Sequence, residues 1–226
     1  MFGCGKEGAT LNKKTKNQIP SKVTSALGRA EKQKVDFLAI KAKAENGGAK
    51  SQTQTANNYA VGRGVEKDMQ QALMWYQKAA DQGEPQAQFN LGYMYYNGEA
   101  LPLDYPKAVE WFTKSAKQGN SGAQETLGLM YDSGDGVPEN DVEAIKWFRK
   151  AAEQGDAYAQ VNLGFMYGTG EGVSMNYVKA YMWYSLAKAQ GNEDAAKGLY
   201  IIEKEMNTDQ IAKAQVLATE WREKHN

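Results

Sequence analysis

The stretch of the sequence that most suggests chemistry is the glycine-rich run TGEGV at 169–173, which precedes the aromatic run MWY at 182–184. Glycine-rich loops can bind phosphate through their backbone N–H groups, and neighbouring aromatic rings can hold a cofactor. However, neither a P-loop nor a dinucleotide fingerprint accompanies the run. The only histidine is His225 and the only cysteine is Cys4, which argues against a histidine-based triad, a Cys/His zinc site and an internal disulfide. The sequence therefore predicts no catalytic residue, no metal ligand and no cofactor.

The glycine-rich run is one copy of a pattern that returns every 36 residues. The same spacing separates Trp75, Trp111, Trp147 and Trp183, then Tyr59, Tyr95, Tyr131 and Tyr167, and also Gly47, Gly83, Gly119, Gly155 and Gly191. A fixed period between 20 and 50 residues indicates a repeat architecture. Because a cofactor loop would not be copied at equal spacing, we interpret TGEGV as a turn between two structural elements.

Each repeat contains two helical patterns joined by a short loop. In the first pattern Ala87, Leu91, Met94 and Tyr95 lie on one face of a helix, and in the second Ala108, Trp111, Phe112 and Ala116 form a stripe that we expect to be buried. The loop glycines suit turn positions of positive φ. Four residues at one repeat position are predicted to be N-caps of the second helices: Asp68, Asp104, Asn140 and Asn176.

A glycine recurs in the middle of the first helical pattern, at Gly92, Gly128 and Gly164. Glycine at such a position costs about 1 kcal/mol relative to alanine, so its recurrence indicates close approach of a neighbouring helix. We expect the tryptophan of the second helix to pack there. Most tryptophans are thus predicted to be core residues, and Trp147→Ala is expected to lower stability by a few kcal/mol.

These repeated residues carry a family resemblance. The pattern A-x-x-x-L-G-x-M-Y-x-x-G-x-G-V, followed by K-A-x-x-W-[YF]-x-K-A-A-x-Q-G, resembles the Sel-one-like repeat (SLR), a relative of the tetratricopeptide repeat. The resemblance covers about 51–194. It implies an all-α fold, a right-handed α-solenoid of antiparallel helix pairs, and it assigns the loop glycines to structure. Because proteins of this family are often exported in bacteria, the resemblance also implies a bacterial protein.

The expected organisation has three parts besides a disordered basic tail at 1–20. Residues 21–50 are interpreted as an N-terminal helical cap, and 195–226 as C-terminal capping helices with Asn207 or Thr208 as an N-cap. Between them lie four repeats, at 51–86, 87–122, 123–158 and 159–194. The first helix of the repeat at 51–86 departs from the pattern, so it is either a frayed helix or a specialised edge of the array.

The charge distribution bears on partners and compartment. The first 50 residues carry 11 Lys and Arg against 4 Asp and Glu, a net of +7, and the other 176 carry 16 against 23, a net of −7. An acidic body opposes nucleic-acid binding, and no apolar run approaches the ~20 residues of a membrane span. The basic segment is a solubilising tail, a start that replaced an export leader, or a ligand that folds back into the acidic groove of the same chain. No signal peptide is visible, so the chain reads as cytoplasmic, or as exported or periplasmic if its true start carries a leader.

The first helices carry a second set of apolar side chains, on the face opposite the core stripe. In a tetratricopeptide-like stack such positions line the concave groove, and exposed aromatic patches often mark binding sites. The predicted partner-binding residues are Gln86, Phe89, Asn90, Tyr93, Tyr96, Asn97, Glu125, Leu129, Asp132, Tyr158, Val161 and Phe165. The alternative is that these rings pack against the first helix of the next repeat.

We therefore expect a monomeric, non-enzymatic adaptor that holds a partner peptide or protein segment in the groove. Asn90, Asn97 and Glu125 would supply hydrogen bonds to the partner backbone. A second hypothesis is binding of glycans or cell-wall fragments through stacking on Tyr93, Tyr96 and Phe165. A third is an enzyme, which the missing catalytic residues disfavour.

Overall fold

The computed structural model describes residues 21–225, with side chains from residue 28 onward. These residues form eleven α-helices and no strand. The helices are α1 (Ser21–Glu45), α2 (Ala49–Val61), α3 (Met69–Asp81), α4 (Pro85–Asn97), α5 (Tyr105–Lys117), α6 (Ser121–Ser133), α7 (Asp141–Glu153), α8 (Ala157–Thr169), α9 (Tyr177–Ala189), α10 (Glu193–Glu203) and α11 (Thr208–His225). The disorder expected for 1–20 lies outside the described residues.

Helix pairs stacked in chain order build the array. The first helices α2, α4, α6 and α8 pack on the second helices α3, α5, α7 and α9, and each second helix also packs on the first helix that follows it. All eight helices have 13 residues. The prediction of an all-α solenoid is confirmed.

Each second helix begins at the side-chain cap that the sequence predicts. The carboxylate of Asp68 accepts hydrogen bonds from the backbone N–H groups of Gln70 and Gln71, both at 3.0 Å. Asp104, Asn140 and Asn176 each accept one from the backbone N–H three residues further on. These side chains satisfy donors that the first turn of a helix leaves unpaired.

The mid-helix glycines do mark close helix contacts, but the expected partner was wrong. A Cβ on Gly128 would lie 2.4 Å from the ring of Phe148, and a Cβ on Gly92 or Gly164 would lie 2.8 Å from Phe112 or 2.7 Å from Tyr184. The ring against the glycine thus belongs to the residue after the tryptophan. Successive helical residues point about 100° apart, so only one of the two can face the paired first helix.

The tryptophans fall into two groups, which corrects the expectation that they are mostly core residues. Trp75 and Trp183 are buried, whereas Trp111, Trp147 and Trp221 are only partly buried. Trp111 packs on the buried cluster of the preceding units, and Trp147 does the same one unit later. The ammonium groups of Lys114 and Lys150 lie 3.8 and 4.1 Å from the ring centroids of Trp111 and Trp147.

Neighbouring units are also joined by a ladder of glutamines, which we call the glutamine ladder. Its inner members are the buried Gln52, Gln88, Gln124 and Gln160, and its outer members are Gln82, Gln118, Gln154 and Gln190. Each inner glutamine donates to the carbonyl of an alanine eight residues earlier. Its own side-chain oxygen accepts a hydrogen bond from the outer glutamine 30 residues later. The ladder thus satisfies polar groups that packing would otherwise bury unpaired.

The two ends of the array differ from its centre. Helix α2 is regular despite its atypical sequence, and it buries polar residues, among them Gln52, Thr53 and Thr55. At the other end α10 and α11 both pack on α9. Asn207 caps α11, because its side chain accepts from the backbone N–H of Gln210 while Gln210 accepts from the backbone N–H of Asn207.

The glycine-to-ring contact predicts opposite effects of one substitution at two sites. Gly128→Ala should lower the free energy of unfolding by about 1–3 kcal/mol, because the new methyl group must displace the buried ring of Phe148. Gly28→Ala in α1 meets nothing within 4 Å and should cost nothing or add up to about 1 kcal/mol through helix propensity. Urea denaturation of both variants measures the contrast, and equal stabilities would contradict the role given to Gly128.

A second pair of substitutions tests the loops. Ala100 has a φ of 59° and stands where other loops have glycine, such as Gly136 with a φ of 73°. Left-handed backbone costs a non-glycine residue about 1–2 kcal/mol. Ala100→Gly should therefore raise the midpoint of thermal unfolding, despite the greater freedom of glycine in the unfolded chain.

The reverse change, Gly136→Ala, should lower that midpoint, because its Cβ would also lie 2.6 Å from the backbone of Tyr105. A fall in the midpoint for Ala100→Gly would show that the left-handed backbone at this position is not strained.

Candidate functional site

Helices α4, α6, α8 and α10 each carry an exposed apolar residue at one shared repeat position, where α2 has Asn57 instead. Val61, Tyr158 and Tyr200 are also exposed, at other positions of α2, α8 and α10. We call the apolar residues at the shared position the apolar stripe: Tyr93 in α4, Leu129 in α6, Phe165 in α8 and Ile201 in α10, which are 45%, 41%, 49% and 64% exposed. Their spacing is 36 residues, as for the core positions. Buried positions at this period follow from stacking, but packing alone does not explain a periodic exposed row.

Three of the predicted site residues form an aromatic cluster on α4. The ring centroid of Tyr93 lies 5.6 Å from that of Phe89 and 6.3 Å from that of Tyr96. Phe89 and Tyr96 are partly buried, since both contact Phe112 and Tyr96 also contacts Tyr105 at 5.1 Å. Phe89 and Tyr96 thus support the ring of Tyr93, which remains the most accessible member.

Part of the alternative interpretation also holds, because Phe89 packs toward the next unit. A Cβ on Gly122, in the first turn of α6, would lie 3.3 Å from the ring of Phe89. Gly122 therefore leaves room for this ring. The predicted site residues accordingly divide into rings that join units and side chains that face outward.

A chain of side-chain amides runs beside the aromatic cluster. Asn90 donates to the side-chain oxygen of Asn57 at 3.2 Å and accepts from Gln86 at 3.0 Å, and Gln86 accepts from Asn120 at 3.3 Å. The hydroxyl of Tyr76 also donates to Asn57, at 2.6 Å. Asn90 is thus already held by neighbours, although an amide group keeps one further donor and one further acceptor.

The carboxylates of the predicted site lie together on α6. Burial raises the pKa of Glu125 to about 7, and the nearby carboxylate of Asp156 adds to the effect while a hydrogen bond with Thr126 opposes it. Burial also raises the pKa of Asp132, with further contributions from Asp141, Glu171 and Glu139. Burial and neighbouring negative charges both raise the pKa of a carboxyl, because they disfavour its charged form.

The other predicted residues lie at the edges of this face. Tyr158 is 69% exposed near the start of α8, and Val161 is partly buried one turn later. Asn97 is exposed at the end of α4. Neither Tyr158 nor Phe165 joins the ring contacts of α4 within the part of the chain that the structure describes.

Sequence reasoning missed Ile201, the last member of the apolar stripe. Ile201 and Phe165 line a shallow pocket of about 200 Å³ between α8, α9 and α10, with Tyr177 and Tyr184 among its other walls. Loop glycines are absent after α10, so the sequence assigns 195–226 to the C-terminal cap and not to another repeat. The 36-residue spacing from Phe165 was the signal that could have identified Ile201.

The described residues contain neither a cluster suited to a metal ion nor a helix suited to span a membrane. No group of His, Cys, Asp and Glu within 28–225 is placed to hold a metal ion. No helix between 21 and 225 combines the length and apolarity needed to cross a membrane. The apolar stripe, the aromatic cluster and the carboxylates of α6 therefore characterise the surface of this repeat-type α-solenoid.

Comparison with known families identifies this solenoid. Four consecutive segments, 49–84, 85–120, 121–156 and 157–192, match the model of the Sel1 repeat and make up more than half of the chain. The protein therefore belongs to the Sel1 repeat family, whose members are generally non-enzymatic scaffolds for protein–protein interaction. The segments begin at the first residues of α2, α4, α6 and α8, two residues before the unit boundaries expected from the sequence.

Solved structures agree with this assignment. A protective antigen of uropathogenic Escherichia coli with an SLR fold is 39% identical, with a TM-score of 0.73, over 84% of this chain and 40% of that chain. A Sel1 repeat protein from Oxalobacter formigenes is 32% identical, also with a TM-score of 0.73, over 85% and 78%. An immunity protein from Pseudomonas aeruginosa, 24% identical with a TM-score of 0.50 over 84% and 74%, shares the fold.

This chain spans less than half the length of the E. coli antigen. No curated protein sequence matches it.

The raised pKa of Glu125 predicts that removing its charge stabilises the folded protein, by an amount that depends on pH. The carboxyl is neutral in both states below its ordinary pKa of 4.5, but near pH 7 the folded protein must hold the charged form in a partly buried site. Its contribution to stability is thus present at pH 4 and lost as the pH rises through about 7. Glu125→Gln should stabilise the protein at pH 8 by about 1–2 kcal/mol, and by much less at pH 4.

Urea denaturation at several pH values measures this difference. Glu153→Gln, which removes an exposed carboxylate at the end of α7, serves as the control. A gain from Glu125→Gln that does not vary with pH would contradict the explanation.

Proposed function

We propose that this chain is a non-enzymatic adaptor that holds an extended segment of a partner protein across the apolar stripe. The observation that carries the proposal is the exposure of Tyr93, Leu129, Phe165 and Ile201 at one repeat position. Solenoids present extended surfaces on which a long partner segment meets each unit in turn. The proposal places the apolar stripe on the concave side of the array.

The apolar stripe would supply most of the affinity. Anchors at protein interfaces are commonly aromatic side chains with supporting neighbours that exclude water. Tyr93 meets this description, because Phe89 and Tyr96 pack against its ring. Phe165 is a second anchor, since it borders the pocket beside Ile201.

Polar side chains near the apolar stripe would fix the position of the partner backbone. Asn90 and Gln86 are held by each other and by neighbouring amides, so little side-chain entropy is lost when their remaining groups bind. Asn97 and Glu125 complete the set of polar groups that we assign to partner binding. Burial of backbone polar groups requires such partners.

Sugar binding through Tyr93, Tyr96 and Phe165 stays a separate prediction. The ring of Tyr96 is partly covered by Tyr105 and Phe112. Stacking on a sugar needs an open ring face, which favours Tyr93 and Phe165 over Tyr96.

Removing two anchors tests the adaptor function. Tyr93→Ala combined with Phe165→Ala should weaken capture of a partner by at least about tenfold, because interface anchors contribute roughly 1–2 kcal/mol or more each. Both side chains are about half exposed, so the melting temperature should change little. The measurement is quantitative cross-linking and mass spectrometry of proteins retained by each variant.

A matched control removes exposed apolar side chains from second helices. Met74 in α3 and Val142 in α7 are 38% and 52% exposed, and Met74→Ala with Val142→Ala should retain the same proteins as the unaltered chain. Equal losses for both double variants, or no loss for Tyr93→Ala with Phe165→Ala, would sink the proposed site.

A further inference from the structure

Charged residues are distributed unequally between the two sets of helices. Helices α4, α6 and α8 contain no lysine or arginine, and their only charged residues are Glu125 and Asp132, both in α6. The second helices carry the cations of these units, including Lys114 and Lys150, which lie over tryptophan rings. The central part of the apolar stripe is therefore bordered by negative charge alone on its own helices.

The two carboxylates lie on the same side of α6 as the stripe residue Leu129. Positions 125, 129 and 132 are separated by four and three residues, which places them on one face of a helix. Leu129 thus lies between Glu125 and Asp132. Tyr93 and Phe165 occupy the same repeat position on the preceding and following first helices.

Neither carboxylate forms an ion pair within the described part of the chain. The ion pairs among residues 28–225 join Lys41 to Glu45, Lys107 to Asp104, Lys146 to Glu143, and Lys197 to Asp194. The charged groups that act on these two carboxyls are other carboxylates, which raise their pKa: Asp156 for Glu125, and Asp141, Glu171 and Glu139 for Asp132. A cation placed here would relieve this repulsion.

The end of the apolar stripe does not oppose a cationic partner. Lys197 in α10 is paired with Asp194, and the ammonium of Lys204 lies 4.0 Å from the ring centroid of Tyr200. Both positive charges thus have partners in the folded chain. Glu203 and Glu205 beside them are exposed, so this end also adds negative charge.

We infer that the partner of the apolar stripe is a cationic protein segment, in which an arginine or lysine lies over α6 between Glu125 and Asp132 and apolar residues on either side pack on Tyr93 and Phe165. This inference rests on the proposed function and adds the chemistry of the partner. Carboxylates form short, charge-assisted hydrogen bonds with guanidinium and ammonium groups. The ring face of Tyr93 attracts the same cations.

A random-peptide display library, selected on the immobilised full-length chain, tests the inference. Enriched peptides should carry a net positive charge, with arginine or lysine between two apolar residues. The most enriched peptide is then synthesised, together with a version in which glutamine replaces its arginine and lysine. The full chain should bind the cationic peptide about tenfold more tightly than the glutamine version. This factor is what attraction to two partly exposed carboxylates, Glu125 and Asp132, would give together.

Two double variants locate the preference. Glu125→Gln with Asp132→Asn should bind both peptides equally, whereas Glu110→Gln with Glu153→Gln, on α5 and α7, should keep the tenfold preference. Enrichment of neutral or acidic peptides, or a preference that survives Glu125→Gln with Asp132→Asn, would overturn the cationic assignment. In both of those cases binding that still depends on Tyr93 and Phe165 leaves the adaptor function intact. If no peptide is enriched over a blank surface, the adaptor function itself fails, and this inference with it.

Discussion

The array depends on a contact in which a glycine of one helix lies directly against an aromatic ring of its partner. Phe112, Phe148 and Tyr184 occupy space that a Cβ on Gly92, Gly128 or Gly164 would need. The helices of a pair therefore approach closely, and small residues such as Ala87, Ala108 and Ala123 fill much of the core between them. The outward side of the first helices packs less completely, because Phe89 contacts the next unit while Tyr93 and Phe165 stay about half exposed.

The features that could be predicted from the sequence are those set by nearby residues or by the period. The capping residues Asp68 and Asn140 act within a few positions of their own, and the loop glycines respond to local backbone angles. The helix count per unit and the buried alanine and leucine positions follow from a 36-residue spacing combined with helical periodicity. These features can be predicted without knowing which helices contact each other.

Features that depend on contacts between helices were less accessible to sequence reasoning. The sequence predicts tryptophan as the partner of the mid-helix glycine, yet the rotation of α5, α7 and α9 directs the next residue there instead. The division of the outward face into Phe89, which packs on the next unit, and Tyr93, which stays exposed, depends on the stacking of α4 and α6. The pKa of Glu125 likewise depends on burial and on Asp156, which is distant in sequence. Whether any of these residues binds a partner is decided by a molecule that the sequence does not contain.

The glutamine ladder makes the same contacts at each internal junction between units. Each rung joins an inner glutamine to a carbonyl of the previous helix and to the outer glutamine of its own unit, so every internal junction is chemically equivalent to the next. The ladder stops where Ala196 replaces the inner glutamine in α10, and α11 then packs on α9 instead of forming another pair. A whole unit copied between two rungs would meet the same junction on both sides, whereas a partial unit would not. Growth by copies of the units that begin with α4, α6 or α8 would also lengthen the apolar stripe by one residue each time, so under the proposed function the number of such units would set how many anchors a bound segment meets.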